Sequence, residues 1–390
     1  MSRNRFRQIS SSLHFTNNDN ITNNSDRLFK ILPIINYFKP KFLNIYKPEQ
    51  QLSLDESIIP WRGRLCFKVY NSSKIIKYGI LVRMVCEATS GYICNLEIYC
   101  AKGLKLRDTI LNLMTPYFDL WHHLYMDNYY NSVENSQILL KHKIRICGTI
   151  RINRDVPVCL KTVQLKKGKT VYRRKKDVLV QIWRSKNDVR IISTIHSAEM
   201  KESRNIDRTT KEKIIKPVGI IDYNKYMKGV DRVDQYISCF RIARKTKKWT
   251  NRVFFYLLNC AIFNAYRVYN NLNTKKMRYK KFLHAIARMW ITDDIQDVDD
   301  DEENEENPGP SELRTRRAPK LDPPTRLSQD MKQHILEKII GTGKIRHPQR
   351  RCRVCAKHNK RSTTIYICKH CNVPLHRGKC FTKYHTLKHY

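Results

Sequence analysis

The spacing of apolar residues along the chain switches from helical to strand-like and back, and the switches outline an architecture. Residues 1–13 read as a short basic amphipathic helix. After an Asn-rich stretch, Leu28, Ile31, Leu32, Ile35 and Phe38 recur at helical spacing within residues 27–46. From Leu52 the period shortens to two, which predicts a strand whose last residues carry the Asp55 carboxylate into a cleft. Residues 78–87 and 92–99 are apolar runs joined by Ala88-Thr89-Ser90-Gly91, a hairpin signal. Leu106, Ile110, Leu113 and Met114 then share a helical face; a strand ends at Asp127, a helix covers 132–141 and a strand covers 144–150.

Three antiparallel strands, helix, strand, helix, strand is the order of an RNase H-like α/β domain. In that domain one acid sits on the first strand and a second just after the fourth, the places of Asp55 and Asp127. Residues 155–215 interrupt the pattern with short β-type runs at 178–183 and 189–195 and a basic hairpin-like piece at 165–176; residues 197–213 are polar and read as loop or weak helix. Tyr223, Met227, Val230, Val233 and Tyr236 then space as a helix that places Asp231 and Asp234 on neighbouring turns. Val253, Tyr256, Leu257, Cys260 and Phe263 mark a strong amphipathic helix, and residues 275–288 a more basic one.

Charge changes the picture more than length does. The 390 residues carry a formal charge of +40, a field that concentrates polyanions, so nucleic acid is the leading partner. No 18-residue apolar run, signal segment or lipidation motif is visible, so the chain reads as soluble, intracellular and not membrane-bound. Residues 293–306 hold ten acids ahead of Pro308-Gly309-Pro310, a block that cannot bury itself and is expected to be a disordered linker. Two basic clusters, Arg173, Arg174, Lys175, Lys176 and Arg244, Lys245, Lys247, Lys248 with Trp249, suit DNA phosphates; nuclear import explains them equally well.

Two constellations carry chemistry. Asp55, Asp127 and Asp231, with Asp234 nearby, supply the carboxylates by which hard divalent cations are held on rigid elements. The tail reads Cys352-x2-Cys355-x12-Cys368-x2-Cys371-x4-His376-x3-Cys380-x4-His385-x3-His389, eight candidates for two tetrahedral zinc sites. Interleaving is expected, with the first and third pairs on one ion and the second and fourth on the other. His358 is an alternative to His389, and His370 reads as a surface residue. The other eight cysteines stand singly in apolar surroundings and read as reduced core residues.

Leu54-Asp55-Glu56 with Trp61-Arg62-Gly63-Arg64, Lys77-Tyr78-Gly79, Met126-Asp127-Asn128 with Ser132, Gly148-Thr149-Ile150-Arg151, Gly229-Val230-Asp231 with Asp234-Gln235, Arg244-Lys245-Thr246 with Trp249, and the Cys/His tail together resemble the piggyBac transposase family. The resemblance covers nearly the whole chain. It implies that Asp55, Asp127 and Asp231 are a DDD catalytic triad, with Asp234 a further acid, using Mg²⁺ or Mn²⁺. The implied enzyme cuts and pastes double-stranded DNA at TTAA targets, as a homodimer in the nucleus.

The implied partition is a helical dimerisation and DNA-binding remnant (1–51), an RNase H-like core (52–154 and 216–240) interrupted by an insertion domain (155–215), a second helical part (241–292), the acidic linker (293–345) and a zinc domain (346–390). Two departures stand out. Family chains carry a long region ahead of the equivalent of Met1, so the sequence reads as N-terminally truncated, and Lys228 stands where glycine is common. The alternative reading is a catalytically inactive DNA-binding protein descended from such a transposase; a zinc-tail module of the ubiquitin-ligase type rests on ligand spacing alone.

Overall fold

The computed structural model describes residues 1–17, 19, 26–72, 74, 76–101, 103–206, 212–242, 246–292, 322, 324–327, 334–339 and 348–387. The chain divides into two compact units, Met1–Asn304 and Glu305–Tyr390. The acidic stretch 293–306 lies outside the described residues. Among the described residues no helix is long and apolar enough to cross a membrane.

The first unit opens with α1 (Arg3–Ser12), where the Ser2 hydroxyl caps the N-terminus by accepting from the Arg5 N–H at 3.3 Å. α2 (Leu32–Ile45) follows, with a proline in its first turn, where a missing N–H leaves nothing unpaired. Next come β1 (Gln51–Pro60), β2 (Val69–Tyr70), β3 (Tyr78–Glu87) and β4 (Ile93–Ile98), with β3 antiparallel to each of the other three. α3 (Leu106–Met114), β5 (His123–Met126), α4 (Val133–Lys141) and β6 (Arg145–Thr149) complete the RNase H-like pattern: β5 runs parallel to β1, and β6 parallel to β5.

The residues expected as an insertion continue this same sheet. After α5 (Val158–Lys161), the strands β7 (Thr170–Lys175), β8 (Val178–Arg184) and β9 (Asp188–Ser193) add antiparallel beyond β6, in the order β6-β9-β8-β7. Residues expected as loop or weak helix instead form a two-stranded ribbon, β10 (Met200–Ile206) with β11 (Lys213–Pro217). Its strands are largely solvent-exposed, so no apolar alternation announces them. α6 (Val218–Tyr226), α7 (Gly229–Cys239), α8 (Trp249–Leu272) and α9 (Tyr279–Thr292) close the unit.

Strand alternation gives the sheet two apolar faces, and different helices cover each. On one face Ile59, Val82 and Met84 share a core with Val230 and Val233 of α7 and with Val253, Leu257 and Phe263 of α8, the stripe expected from sequence. On the other, Leu52, Leu54, Leu124, Met126 and Ile146 pack with Ile110 and Leu113 of α3 and Leu139 of α4. α6 covers the first face near Tyr125 and Cys147. Glu87, buried beneath this frame, accepts from Tyr46 and the Glu49 N–H and so anchors the entry into β1.

The second unit holds a 3₁₀ turn at Pro324–Leu327, β12 (Leu336–Lys338), β13 (Arg350–Arg351), α10 (Arg353–Lys357), β14 (Thr363–Thr364), β15 (Tyr366–Cys368), β16 (Val373–Pro374) and α11 (Lys379–Thr386). β12 pairs with β15, and the Arg326 guanidinium donates to the Tyr384 and Leu387 carbonyls. Residues within the expected linker 293–345 therefore belong to this unit.

Candidate functional site

Asp55 lies in the middle of β1, where its strand loses one neighbour. The parallel pairing of β1 with β5 ends at Leu54 opposite Met126, so Asp55 and Asp127 are the next residues on adjacent strands. Adjacent strands lie about 4.8 Å apart, which sets the two side by side at the carboxyl end of the parallel pair. The expected strand end is thus a change of pairing: β1 runs on to Pro60 against β3 alone. Asp55 Oδ1 accepts from the Glu56 N–H at 2.7 Å, and Asp127 Oδ1 accepts from the Tyr129 N–H at 2.8 Å in the turn that follows β5.

That turn is pinned from beneath. The fully buried Asn131 amide lies within hydrogen-bond reach of three carbonyls, Met126 at 2.9 Å, Asp127 at 3.0 Å and Thr149 at 3.0 Å. Gly148 makes room for it, because a Cβ there would stand 1.9 Å from the Met126 carbonyl and 2.3 Å from Asn131 Nδ2.

α7 lies against the same face of β1. A Cβ on Gly229 would meet Ser53 Oγ at 2.1 Å, so glycine lets the helix close on the strand. Two residues on from Asp55, the Ser57 hydroxyl donates to Asp234 and accepts from the Tyr256 hydroxyl at 2.7 Å. Asp231, in the first turn of α7, and Asp234 line a cleft of about 580 Å³ with Ser57, Lys74, Lys228 and Arg241. Lys74 Nζ stands 3.8 Å from Asp55 Oδ1 and donates to the Glu56 carbonyl at 2.8 Å.

Burial dominates the electrostatics. It pushes the Asp55 carboxyl up to about 8, against the pull of Lys74 and with the push of Glu56. Asp234 rises to about 6 by burial, opposed by the Ser57 hydrogen bond and Lys74 and assisted by Asp231; Asp127 rises too, mainly by burial. The Tyr223 hydroxyl of α6 is pushed up to about 12, mainly by burial and further by the Asp127 and Asp55 charges. Carboxylates so desolvated favour protonation or a cation. Their hard oxygens fit a divalent ion, although the ligand atoms of Asp55, Asp127 and Asp231 do not form a group within 4.8 Å of one another.

The second unit gathers two groups of soft donors, Cys352, Cys355, His376, Cys380 and His334, Cys368, Cys371, His385, each with its ligand atoms within 4.8 Å of one another. Cys355 and Cys380 sulfurs are 3.8 Å apart, the edge of a tetrahedron with Zn–S bonds of about 2.3 Å. His376 Nε2 faces the Thr363 carbonyl at 3.0 Å and His385 Nδ1 the Phe381 carbonyl at 2.9 Å; donation there leaves the other ring nitrogen for a metal. Burial and neighbouring sulfurs push the Cys371 and Cys380 thiols up to about 12, a cost that a bound cation removes.

The first group unites the first and third tail pairs. In the second group His334 takes the fourth place: its Nδ1 lies 3.4 Å from Cys371 Sγ and 3.7 Å from Cys368 Sγ. His389 lies outside the described residues, and His358, the exposed C-cap of α10, belongs to neither group. His370 is exposed and packs edge-on against the His334 ring.

The comparisons agree with this division. Residues 1–266, more than half of the chain, match the family model described as "Transposase IS4", and residues 333–386 match "DDE_Tnp_1-like zinc finger", a span that contains His334 and ends before His389. The chain belongs to the piggyBac transposase family. It is 26% identical over 406 residues to the human PiggyBac transposable element-derived protein 3, covering 99% of this chain and 63% of the relative. Against the human PiggyBac transposable element-derived protein 2 it is 25% identical over 288 residues, covering 68% of this chain and 48% of the relative. The chain thus spans less than two thirds of the length of these relatives. Its fold matches the cryo-EM structure of a piggyBac transposase synaptic complex with hairpin DNA at a TM-score of 0.66 and 23% identity, covering 97% of this chain and 80% of that one.

Among the basic residues singled out for this piggyBac family chain, Arg173, Arg174, Lys175 and Lys176 are exposed on or beside β7, the outer strand of the sheet. Lys247 is exposed, Lys248 donates to the Ser11 and Leu13 carbonyls, and Arg244 and Lys245 lie outside the described residues. Trp249 is partly buried against the core, edge-on to Phe67 at 5.4 Å. Sequence reasoning missed Glu56, Lys74, Asn131, Tyr223 and His334. Only Glu56 had a local signal, as the acid beside Asp55.

Proposed function

We propose that the first unit is a DDD-type nuclease and strand transferase acting on double-stranded DNA, with Asp55, Asp127 and Asp231 as ligands for Mg²⁺ or Mn²⁺ and Asp234 supporting the α7 side. The observation that carries this is the register: the end of the β1–β5 pairing sets Asp55 beside Asp127 on the face covered by α6 and α7. Two such ions activate a water or 3′-hydroxyl and stabilise the leaving oxygen of a phosphodiester. The chain's own part is to hold the carboxylates rigidly. The Asn131 amide fixes the turn of Asp127, the Glu56 N–H orients Asp55, and Ser57 orients Asp234.

The partner is DNA, held through phosphates by the positive field and by the exposed cations of β7, with cut-and-paste transposition at TTAA in the nucleus as the biological setting and a homodimer as the working form. The second unit holds two structural Zn²⁺. The second reading is a DNA-binding protein without cleavage. Mg²⁺- or Mn²⁺-dependent nicking of DNA bearing the flanking terminal repeats, wild type beside Asp127→Ala, decides between them. Nicking lost in the variant supports the enzyme; binding without nicking in either supports the second reading.

A further inference from the structure

β2 is only Val69–Tyr70, yet it sets two tyrosines directly opposite each other: Tyr70 pairs with Tyr78 at the start of β3. Their ring centroids lie 4.8 Å apart, and both residues stay wet, Tyr70 58% and Tyr78 49% exposed. A cross-strand aromatic pair stabilises a ribbon through the surfaces in contact. About half of each tyrosine is left to solvent.

The ribbon borders the acid cleft. Its turn supplies Lys74 and Ile76 to the cleft wall, and Lys74 Nζ donates to the Glu56 carbonyl at 2.8 Å. Asp55 pairs with Met84, Ser57 with Val82 and Ile59 with Ile80, so strand alternation puts Tyr78, and Tyr70 opposite it, on the face of the sheet that carries Asp55. From Tyr78 to Met84 the strand runs roughly 20 Å, or about six nucleotides of a stacked strand.

Charge selects the visitor. Residues 61–78 hold five cations and no acid. Arg62, Arg64 and Lys77 are exposed, while Lys68 Nζ holds the loop by donating to the Gly63 carbonyl at 3.2 Å. A Cβ on Gly63 would stand 2.6 Å from Trp61 Cζ2, so the loop that carries the two arginines closes only with glycine there. Open aromatic rings among cations are what unpaired nucleic acid binds: bases stack on the rings and phosphates meet the charges. A protein interface depletes charge at its centre, the opposite of this patch.

We propose that Tyr70 and Tyr78 form a stacking platform for unpaired bases of a DNA strand running out of the acid cleft. The inference rests on the reading of DNA as the partner and adds that the strand is opened next to the cleft; it needs no metal. A pair serving only to hold the ribbon would not distinguish unpaired from paired DNA.

The test uses the full, zinc-supplemented chain with Mg²⁺ and Mn²⁺ withheld, so that binding is read without cleavage. Two probes are compared by fluorescence anisotropy: a fully paired duplex, and the same duplex with a central loop of unpaired thymidines, one replaced by 2-aminopurine, whose emission falls on stacking. Wild type is expected to bind the looped probe more tightly and to quench the 2-aminopurine. Tyr70→Ala and Tyr78→Ala should each weaken binding of the looped probe at least about fivefold, abolish the quenching and change binding of the paired probe less than about twofold. Tyr70→Phe should keep the wild-type values. No preference of wild type for the looped probe, equal losses on both probes, or no loss on the looped one overturns the platform and leaves the DNA reading standing. No binding of either probe by wild type overturns both. Should Tyr70→Ala loosen the ribbon, seen as a lower melting temperature, Tyr70→Leu, which keeps an apolar side chain against Tyr78 without a π face, must show the same selective loss, or the inference fails.

Discussion

Asp55 and Asp127 are neighbours by register: each is the first residue past the last parallel pair of β1 and β5, Leu54 opposite Met126. Two acids that sit far apart in sequence are thereby brought side by side by the strand ladder, and the Asn131 amide holds the turn of the second. Asp55→Asn and Asp127→Asn are expected to reduce divalent-metal-dependent nicking by more than about 10³-fold, roughly 4 kcal/mol in the barrier. Both should keep the far-ultraviolet circular dichroism of the wild type. A residual rate within tenfold of wild type would refute the assignment.

Gly148→Ala tests the support beneath that pair. The added methyl meets the Met126 carbonyl and displaces the Asn131 amide. Overpacking of this kind costs about 1–3 kcal/mol, so the urea midpoint should fall, and nicking should fall further than the stability loss accounts for. Asn131→Ala should lose nicking by the same route without the steric strain.

Metal-free stability should decline as pH rises. Asp55 and Asp234 have folded values of about 8 and about 6, above their ordinary 3.8. Groups raised on folding contribute stability that is full below the unfolded value and is lost as pH climbs through the folded one. Urea midpoints of the metal-free, zinc-loaded chain should therefore decrease between pH 4 and pH 8, and Asp55→Asn should flatten the upper part of that slope. A slope unchanged by Asp55→Asn would count against the burial of this carboxyl.

Two zincs per chain are expected from the two donor groups. His334→Ala should release one of them, measured by metal analysis after dialysis, and His389→Ala should release neither. The reverse pattern would restore the ligand set read from the tail spacing.

The sequence made the acids and the CxxC pairs legible because their chemistry has a local form: a carboxylate closing an apolar alternation, or two thiols on one turn. What it concealed is set by pairing over distance. Lys74 and His334 become neighbours of Asp55 and Cys371 only after the chain has folded, and His334 stands 34 residues ahead of Cys368 with no spacing rule to link them. The same holds for β7, β8 and β9. Short β-type runs and a basic hairpin-like piece announced them, but the ladder of β9 on β6 that merges them into one sheet is invisible in the strands themselves. Trp249, grouped by sequence with the basic run before it, packs edge-on against Phe67, a contact that no local spacing announces.

Among the described residues no strand pairs with the outer side of β7, and Arg173, Arg174 and Lys175 stand exposed along it. Unpaired strand rims are where chains zip together into aggregates. A second copy approaching here would bring a row of cations against an identical row, so self-pairing is repelled while the rim's hydrogen-bonding groups stay available to an anionic visitor.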